Sequence, residues 1–410
     1  MKIIRILALS FCFLQVIRAQ NIPGPEKIRI DPSAAMGGTV SQYIDSVEFI
    51  PFESTPKSTF GNIDQLEMTD SYFLILDRET TSLLIFTKQG QFHARIEGRK
   101  VNPQQPNFYN FNFDKKTDLI EINFISKICL FNLEGKLVFQ RSASLDKYMG
   151  TKTGLGDRFS GYYFYSPWKP YTKDDSTGYE LTVMEEDRLI RKYLPYRINL
   201  KYSESAGSQA HTDFFPDPAA KDSAAWFTRD YDYSVYRLTP HTLETPYQFI
   251  FPLSKSLPKN FRTDSAFDKK RLQYIKENKD VIYKVVNFYK YADNLFFKTI
   301  TNSFSGSSFI YNRGSHHLVA IDKIISDARS CFLPITDAEA GGIDFSFRGI
   351  IQYDGENFYT SCTSLILFYQ KEATKNKSPR YPVPLNAYLN NKQNMKSNPV
   401  LVRIRFKPDL

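Results

Sequence analysis

The sequence predicts an all-β protein: a six-bladed β-propeller with four-stranded blades, a ring closed by the N- and C-terminal strands, and a small helical insertion. Three observations predict this fold. They are an internal repeat near the N-terminus, an aromatic-rich composition, and a C-terminal segment in which apolar and polar residues alternate. Repeats of roughly 40–50 residues with strand-like content are typical of propellers, which use one four-stranded blade per repeat.

The repeat has a period of about 45 residues. The strand–turn–strand pattern of residues 84–92 recurs at residues 129–137, and Phe86 aligns with Phe131. Asn62 and the apolar positions after it are likewise matched from residue 107 onwards. Two neighbouring blades are therefore visible in the sequence before any other element is assigned.

The composition fits a large β-sheet protein. The 410 residues are 42% hydrophobic and 15% aromatic, with 34 Phe and 26 Tyr but only 2 Trp. Aromatic side chains suit the pleated, half-buried surface of a sheet. The net charge of +9 comes from basic residues that are scattered along the chain without a long run. Neither a basic stripe nor a recognition-helix motif is present, so nucleic acid is not an expected partner.

The N-terminus has the pattern of a signal peptide over residues 1–19. Lys2 and Arg5 precede an apolar stretch, and Ala19 supplies the small residue before the expected cleavage. Cys12 leaves a lipoprotein open as an alternative, although the bulky Phe11 precedes it. No later stretch is long and apolar enough to predict a transmembrane helix. We therefore expect an exported protein of the periplasm or cell surface.

Behind the signal peptide, residues 20–40 are expected to form an extended lead-in and residues 41–410 a single propeller domain. The first strand is predicted at residues 41–52. The blade units are predicted, in chain order, at residues 60–98, 105–142, 159–196, 224–251, 281–321 and 331–368. In the last unit, residues 358–360 and 365–368 are predicted as strands.

Two further elements complete the predicted ring. Asp264 is a predicted N-cap of a short helix. Four of its residues share one face: Phe267, Arg271, Leu272 and Ile275. The alternation of residues 400–406 predicts a final strand, which we expect to close the ring beside a strand from the opposite terminus. Closure of this kind removes exposed sheet edges that would otherwise recruit other chains.

Several segments resemble the exported bacterial six-bladed β-propeller family, a relative of the NHL-like and TolB-like propellers. These are the lead strand at residues 43–53, the strand–turn–strand patterns at 86–92 and 131–137, and the closing residues 398–401. The chain departs from the family at residues 98–106, which retain one Gly where a Gly- and Pro-rich loop is usual. The resemblance implies a propeller without agreed catalytic residues.

The sequence contains none of the motifs that mark hydrolases with a nucleophile elbow, zinc proteases, P-loop proteins or dinucleotide-binding enzymes. Asp230 and Asp232 would suit calcium, but the rest of a calcium loop is missing, so turn residues are the favoured interpretation. The adjacent His316 and His317 are poorly placed for joint metal binding if they lie on a strand. No metal and no cofactor are expected.

Two other sets of residues leave alternatives open. His211 and Asp213 could act in acid–base chemistry, although the sequence offers no nucleophile beside them. Cys331 and Cys362 fall in the last blade unit, but their spacing does not establish whether they pair.

Four residues are candidates for ligand binding: Trp168, Tyr171, Trp226 and Arg348. Trp168 and Tyr171 lie in a Pro-interrupted aromatic segment, where a flat ring beside a cation suits stacking on a sugar or a peptide side chain. Packing in the core remains the alternative for both tryptophans. Arg348 alternates with apolar positions and is a candidate for the channel lining, with a plain surface position as the alternative.

The leading functional hypothesis is a non-enzymatic binding protein, expected to be a monomer. Its loops would be presented to a glycan, a peptide or a cell-envelope protein partner. The alternative is a propeller-fold hydrolase, lyase or lactonase that acts at the central channel, which would require polar groups to converge there. A role as scaffold or sensor in an envelope assembly is a third hypothesis.

Overall fold

In the computed structural model of the chain, the described residues form six β-sheets. They are residues 24–108, 110–124, 126–142, 150–156, 158–164, 177–186, 188–197, 214–221, 223–302 and 306–410. The sheets are the six blades that the sequence predicts. The signal peptide assigned to residues 1–19 lies outside the described residues.

Three strands precede the first complete blade: β1 (Glu26–Arg29), β2 (Met36–Thr39) and β3 (Ile44–Ile50). Each of them joins a blade that is formed much later in the chain. β1 and β2 run parallel along the outer edges of blades 4 and 5, whereas β3 is the outermost strand of blade 6. The N-terminal segment therefore passes over the outer edges of three consecutive blades.

Blades 1 to 3 are antiparallel meanders whose strands follow one another from the innermost to the outermost position. Blade 1 contains β4 (Gln65–Met68), β5 (Tyr72–Asp77), β6 (Ser82–Thr87) and β7 (Phe92–Glu97). Blade 2 contains β8 (Phe111–Asp114), β9 (Leu119–Asn123), β10 (Lys127–Phe131) and β11 (Leu137–Ser142). Blade 3 contains β12 (Gly150–Gly154), β13 (Phe159–Phe164), β14 (Thr177–Glu185) and β15 (Arg188–Arg197).

Blades 4 and 5 have the same order and receive β1 and β2 as fifth strands. Blade 4 contains β16 (Phe214–Pro216), β17 (Ala225–Phe227), β18 (Ser234–Leu238) and β19 (Leu243–Ile250). Blade 5 contains β20 (Lys284–Tyr291), β21 (Asn294–Ile300), β22 (Ser308–Asn312) and β23 (Leu318–Ile325).

Blade 6 closes the ring with both termini. It contains β24 (Gln352–Tyr353), β25 (Phe358–Cys362), β26 (Val400–Phe406) and then β3. β26 lies between β25 and β3 and pairs antiparallel with both. The closure predicted from the alternating C-terminal residues is confirmed.

The helices are short and lie in the connections. They are α1 (Val40–Tyr43), α2 (Gly98–Val101), α3 (Arg271–Glu277), α4 (Asp344–Arg348), α5 (Ser364–Ala373) and α6 (Val383–Asn390). Turns of 3₁₀-helix span Pro32–Ala34, Pro218–Ala220, Leu253–Lys255, Ser265–Phe267, Ala328–Ser330, Asp337–Ala340, Lys375–Lys377 and Lys392–Lys396.

The structure supports the predicted helical insertion and corrects one predicted strand. Asp264 caps the turn at residues 265–267 by accepting a hydrogen bond from Ala266 N, and α3 follows. Residues 365–368, predicted as a strand of blade 6, lie instead in α5. The prediction is wrong because Thr363 caps the segment: its side chain accepts from Ile366 N at 3.4 Å, and the burial of Leu367 and Phe368 suits a helix packed on blade 6.

The core consists of apolar clusters between adjacent blades. One cluster joins blades 1 and 2, one joins blades 6 and 1, and one joins blades 3 and 4. The largest cluster extends through blades 4, 5 and 6. There Phe296 of β21 stacks on Phe358 of β25, with ring centroids 4.2 Å apart, and packs edge-on against Phe406 of β26. The closing strand is thus held by aromatic packing as well as by its ladder.

Candidate functional site

One face of the propeller carries the long connections. In an antiparallel meander, the link between strands two and three lies on the same face as the link to the next blade. We call this face the entry face, because the chain enters the innermost strand of each blade there. It carries residues 51–64, 251–283 and 326–351 between blades, and residues 228–233 and 363–399 within blades.

Arg348 lies on this face, at the end of α4 and just ahead of the innermost strand of blade 6. The alternation that the sequence shows around Arg348 belongs to a helix rather than to a strand. Asp337 anchors the helix, because its carboxylate oxygens accept from Asp344 N at 2.7 Å and from Phe345 N at 2.8 Å. Gly349 ends the helix with φ +71°, a conformation that L side chains rarely adopt.

Arg348 makes a charged contact with blade 1. Its Nη1 donates to Asp64 Oδ1 at 2.6 Å, and the other oxygen of Asp64 accepts from Arg78 N at 2.7 Å. Asp64 is nearly buried, whereas the Arg348 side chain remains 24% exposed. The pair joins the entrances of the first and last blades and leaves part of a guanidinium facing solvent.

Arg348 lines a small, shallow depression. The depression is lined by Asp344, Phe345, Arg348, Gly349, Ile351 and Ser361. Burial raises the pKa of Asp344, and the neighbouring Asp337 carboxylate raises it further by repulsion. The depression therefore combines a cation with a carboxyl group whose charged form is disfavoured.

A buried amine lies beneath α4. Lys298 of β21 is completely buried, and its Nζ donates to Ser346 O at 2.6 Å. Burial lowers the pKa of Lys298 to about 7; the charge of Asp322 works against this shift and that of Arg348 adds to it. Near neutral pH the amine is therefore divided between its charged and neutral forms.

Two neighbouring polar atoms have no hydrogen-bond partner among the described residues: Asn287 Oδ1 and Ser308 Oγ. Ser308 pairs directly across the sheet with Lys298. Asn287 has φ +53° and lies where the β20–β21 register shifts. Such bulges re-aim side chains and are frequent beside functional sites. A Cβ on Gly349 would come within 2.0 Å of Asn287 Oδ1, so the glycine admits the amide into this junction.

A second charged cluster joins blades 3 and 4 to the insertion at residues 251–283. Arg229 Nη1 contacts Glu180 Oε2 at 3.1 Å, and Arg262 Nη2 donates to the other oxygen of Glu180. Although burial alone works against the charged form, the Glu180 carboxylate raises the pKa of Arg262 above its ordinary value. The cluster holds the insertion against the blades.

Asp230 and Asp232, the acidic residues that would suit calcium by their type, lie beside this cluster. Asp230 pairs with Lys284 at 2.8 Å, and Asp232 pairs with Arg229 at 2.7 Å. His316 Nδ1 lies 2.7 Å from the Tyr311 hydroxyl. In the described part of the chain, no group of three His, Cys, Asp or Glu side chains is arranged to hold a metal ion.

The structure brings one of the four predicted ligand residues to the candidate site, namely Arg348. Trp168 and Tyr171 lie outside the described residues, as do His211 and Asp213. Trp226 is in β17 and is 5% exposed, with its ring 5.1 Å from that of Phe288. This placement favours the packing role that the sequence left open, and a ligand contact of Trp226 remains a prediction.

The cysteines of the last blade unit do not form a disulfide. Cys331 and Cys362 are both free, and each contacts a backbone carbonyl, of Arg380 and Pro334 respectively.

Sequence reasoning missed Asp64 and Lys298. Asp64 precedes the first strand of the repeat, which identifies a blade entrance but names no partner for its charge. Lys298 lies in β21, two positions after the buried Phe296, so the two side chains share one face of the strand. A polar residue in register with buried Phe296 was the available signal, because long charged side chains are seldom fully buried without a partner.

The fold is a six-bladed β-propeller, and the polar groups described above form a candidate site on its entry face. The chain belongs to the DUF5128 family, described as a 6-bladed beta-propeller, whose model matches residues 21–333. Blade 6 is completed by residues beyond that match. No curated protein matches the chain in sequence.

Two solved structures from Bacteroides are similar to the chain. One is a protein of Bacteroides fragilis described as exported, 14% identical, with a TM-score of 0.67; the alignment covers 93% of this chain and 100% of that one. The other is a member of the DUF4221 family from Bacteroides vulgatus, 13% identical, with a TM-score of 0.43 and coverage of 89% and 97%. At this identity, the first likeness shows the fold alone.

Proposed function

We propose that the chain is an exported, non-enzymatic binding protein of the periplasm or cell surface. Its entry face receives a glycan, a peptide or a partner protein. The observation that carries the proposal is the partly exposed guanidinium of Arg348 at the rim of the depression, held by Asp64 over buried polar groups.

Recognition at this face follows from how a propeller is built. The strands are committed to packing between blades, so contacts with other molecules fall to connections held by that scaffold. A guanidinium binds carboxylates through parallel hydrogen bonds. An acidic sugar or a peptide carboxylate would compete with Asp64 for Arg348. Trp168 and Tyr171 enter this proposal from the sequence alone, as flat faces for stacking on the same ligand.

Among the described residues, no helix is long and apolar enough to cross a membrane. The proposed export rests on the N-terminal sequence pattern and agrees with the description of the Bacteroides fragilis protein.

The test is binding to glycan and peptide arrays by the mature protein and two matched variants. Arg348→Met removes the rim cation. Arg405→Met removes an arginine on the opposite face, where Arg405 Nη1 lies 2.8 Å from Glu356 Oε1 of a hairpin. We expect Arg348→Met to lose binding and Arg405→Met to retain it. Equal binding by all three proteins would remove the entry-face depression from consideration as the site.

One observation favours the alternative, a hydrolase, lyase or lactonase acting at the central channel. The pKa of about 7 at Lys298 is suited to general acid–base work, but the amine is buried beneath α4 in the second strand of blade 5, so a substrate would reach it only if α4 moved. Turnover of an ester, lactone or glycoside substrate should then be abolished in Lys298→Met and preserved in Lys290→Met, which alters an exposed lysine of the same blade. Array binding without turnover would support the binding protein instead.

A further inference from the structure

Basic residues occur throughout the chain, but their excess over acidic residues falls in two insertions on the entry face. Residues 251–283 contain eight Lys and Arg against four Asp and Glu, and residues 363–399 contain six against one. Together these segments account for the whole formal charge of +9, so that the rest of the chain is neutral on balance. We call them the basic insertions.

Most of these cations face solvent. The exposed ones are Lys259, Lys269, Lys270, Lys276, Lys279, Lys375, Lys377, Arg380, Lys392 and Lys396. Of these ten, only Lys375 forms an ion pair with another described residue, Glu372 at 3.6 Å. Nine of the ten are lysines. Lysine offers a mobile point charge, whereas arginine offers a rigid fork for a partner of fixed geometry.

The same insertions expose large apolar side chains. Leu253 is 95% exposed, Val383 is 83% exposed and Tyr369 is 67% exposed. Leu365 lies one helical turn before Tyr369 on α5 and is also exposed. Lysines lie along the chain between Leu253 and Leu365, and between Tyr369 and Val383. Apolar tips interspersed with mobile cations differ from the contiguous apolar patch that marks a protein–protein interface.

We propose that the basic insertions dock the propeller on an anionic lipid surface. Apolar tips enter the boundary between headgroups and acyl chains, while lysines remain at the headgroups and contact their phosphates. Long lysine stems allow the charged groups to stay at that level as the apolar tips insert. The excess of cations over acidic residues supplies the complementary charge.

This inference goes beyond the proposed function and uses different residues. The depression around Arg348 is lined by none of the cations or apolar tips named here. Membrane docking would orient the entry face toward the lipid, so that its ligands would be components of the same surface.

The test is co-sedimentation of the mature protein with vesicles of phosphatidylcholine alone or mixed 3:1 with phosphatidylglycerol. We expect binding to the mixed vesicles only, and release in 1 M NaCl, where charge interactions are screened over roughly 3 Å. Leu253→Ser combined with Val383→Ser should weaken binding to the mixed vesicles, because the apolar tips are lost.

A charge-matched pair of variants tests the location. The first replaces Lys259, Lys276, Lys279 and Lys392 by Gln on the basic insertions. The second replaces Lys115, Lys116, Lys136 and Lys290, which are exposed in hairpins of the opposite face. Because each lysine near an anionic membrane contributes roughly fivefold to partitioning, the first variant, which lacks four of them, should bind on the order of 1,000-fold more weakly. The second should bind as the unaltered protein does.

Three results would overturn the proposal. They are failure of the unaltered protein to bind the mixed vesicles, equal weakening by both lysine variants, and binding to soluble polyglutamate without binding to vesicles. The last result would assign the basic insertions to an acidic polymer. The proposed membrane contact does not involve Arg348. Arg348→Met should therefore co-sediment with the mixed vesicles as the unaltered protein does, whether or not it loses binding to the arrays.

Discussion

At the scale of single residues, Lys298 is a buried group whose protonation state changes near neutral pH. Its pKa in the folded chain is lowered to about 7 from 10.5, so the unfolded chain binds more protons between these values. Stability therefore rises with pH through this window, because unfolding takes up a proton that the folded state lacks. Below pH 7 the folded protein carries the full cost of a buried ammonium.

We predict that Lys298→Met removes this pH dependence. Between pH 7 and pH 9 the unaltered protein should gain about 2–3 kcal/mol of unfolding free energy relative to the variant. Urea denaturation of both proteins at the two pH values measures the difference directly. Lys290→Met, at an exposed position, should follow the unaltered protein. Parallel pH profiles for Lys298→Met and the unaltered protein would contradict the prediction.

Gly349 and Gly341 both have a positive φ, but they differ in ψ and in the room for a side chain. Their φ angles are +71° and +76°, and a Cβ on Gly349 would meet Asn287 Oδ1 at 2.0 Å, whereas one on Gly341 would meet nothing within 4 Å. Gly341→Ala should cost about 1–2 kcal/mol through its left-handed backbone alone. Gly349→Ala places alanine at φ +71° and ψ −144°, a region that is essentially restricted to glycine, and adds overpacking, so it should cost about 3 kcal/mol or more. Equal losses of unfolding free energy in the two variants, measured by chemical denaturation, would show that Asn287 moves aside at little cost.

The candidate site could be predicted from the sequence only in part, and particular residues show why. Arg348 was identified because a cation among apolar residues is a visible local pattern. Its partner Asp64 lies 284 positions away, and no local pattern connects two residues at that separation. Whether Trp226 packs in the core or faces a ligand depends on the residues around β17, which belong to blades 4 and 5. Composition and spacing do not contain that information.

At the scale of elements, the connections were harder to predict than the strands. The repeated strands of blades 1 and 2 were readable because alternation and turn glycines recur in both. The segment at residues 364–373 contains a continuous apolar run, which periodicity alone does not assign to a strand or to a helix. The run lies at the start of the long connection between β25 and β26. The cap at Thr363 and packing on blade 6 favour a helix there.

The charged cluster that anchors one such connection gives an element-scale prediction. Glu180 of β14 contacts Arg229 and also Arg262 of the insertion, and all three side chains are largely buried. Glu180→Gln leaves two guanidiniums without their shared carboxylate, which should cost about 3–5 kcal/mol. Glu186→Gln removes an exposed carboxylate that lies 3.5 Å from Arg158, and it should cost less than about 1 kcal/mol.

Chemical denaturation of the two Gln variants measures these losses. Limited proteolysis locates them, because weaker anchoring of residues 251–283 should allow cleavage there in Glu180→Gln and not in Glu186→Gln. A Glu180→Gln protein as stable as Glu186→Gln would mean that solvent replaces the carboxylate at little cost.

At the scale of the whole molecule, the N-terminal segment and the closing strand manage the sheet edges differently. β1 and β2 add parallel strands to the outer edges of blades 4 and 5. β3 completes blade 6 and pairs with β26, so the ring is closed by hydrogen bonds between the two ends of the chain. Closure of this kind could be predicted from the C-terminal alternation, since an apolar strand at a terminus requires a blade to bury it.

The last prediction concerns that closure. Deleting residues 399–410 removes β26, whose side chains at Val400, Leu401, Val402, Ile404 and Phe406 are buried. Each such side chain contributes roughly 1.5–3 kcal/mol. Their sum is comparable with the whole free energy of unfolding of a domain, about 5–15 kcal/mol. The deletion also separates β25 from β3, so both strands acquire unpaired edges. We therefore expect a protein that has no cooperative melting transition and that associates in gel filtration.

Deleting only Asp409 and Leu410, which follow the strand, is the control and should preserve a cooperative transition. A cooperative transition at an unchanged temperature after the longer deletion would mean that five blades hold together without the closing strand.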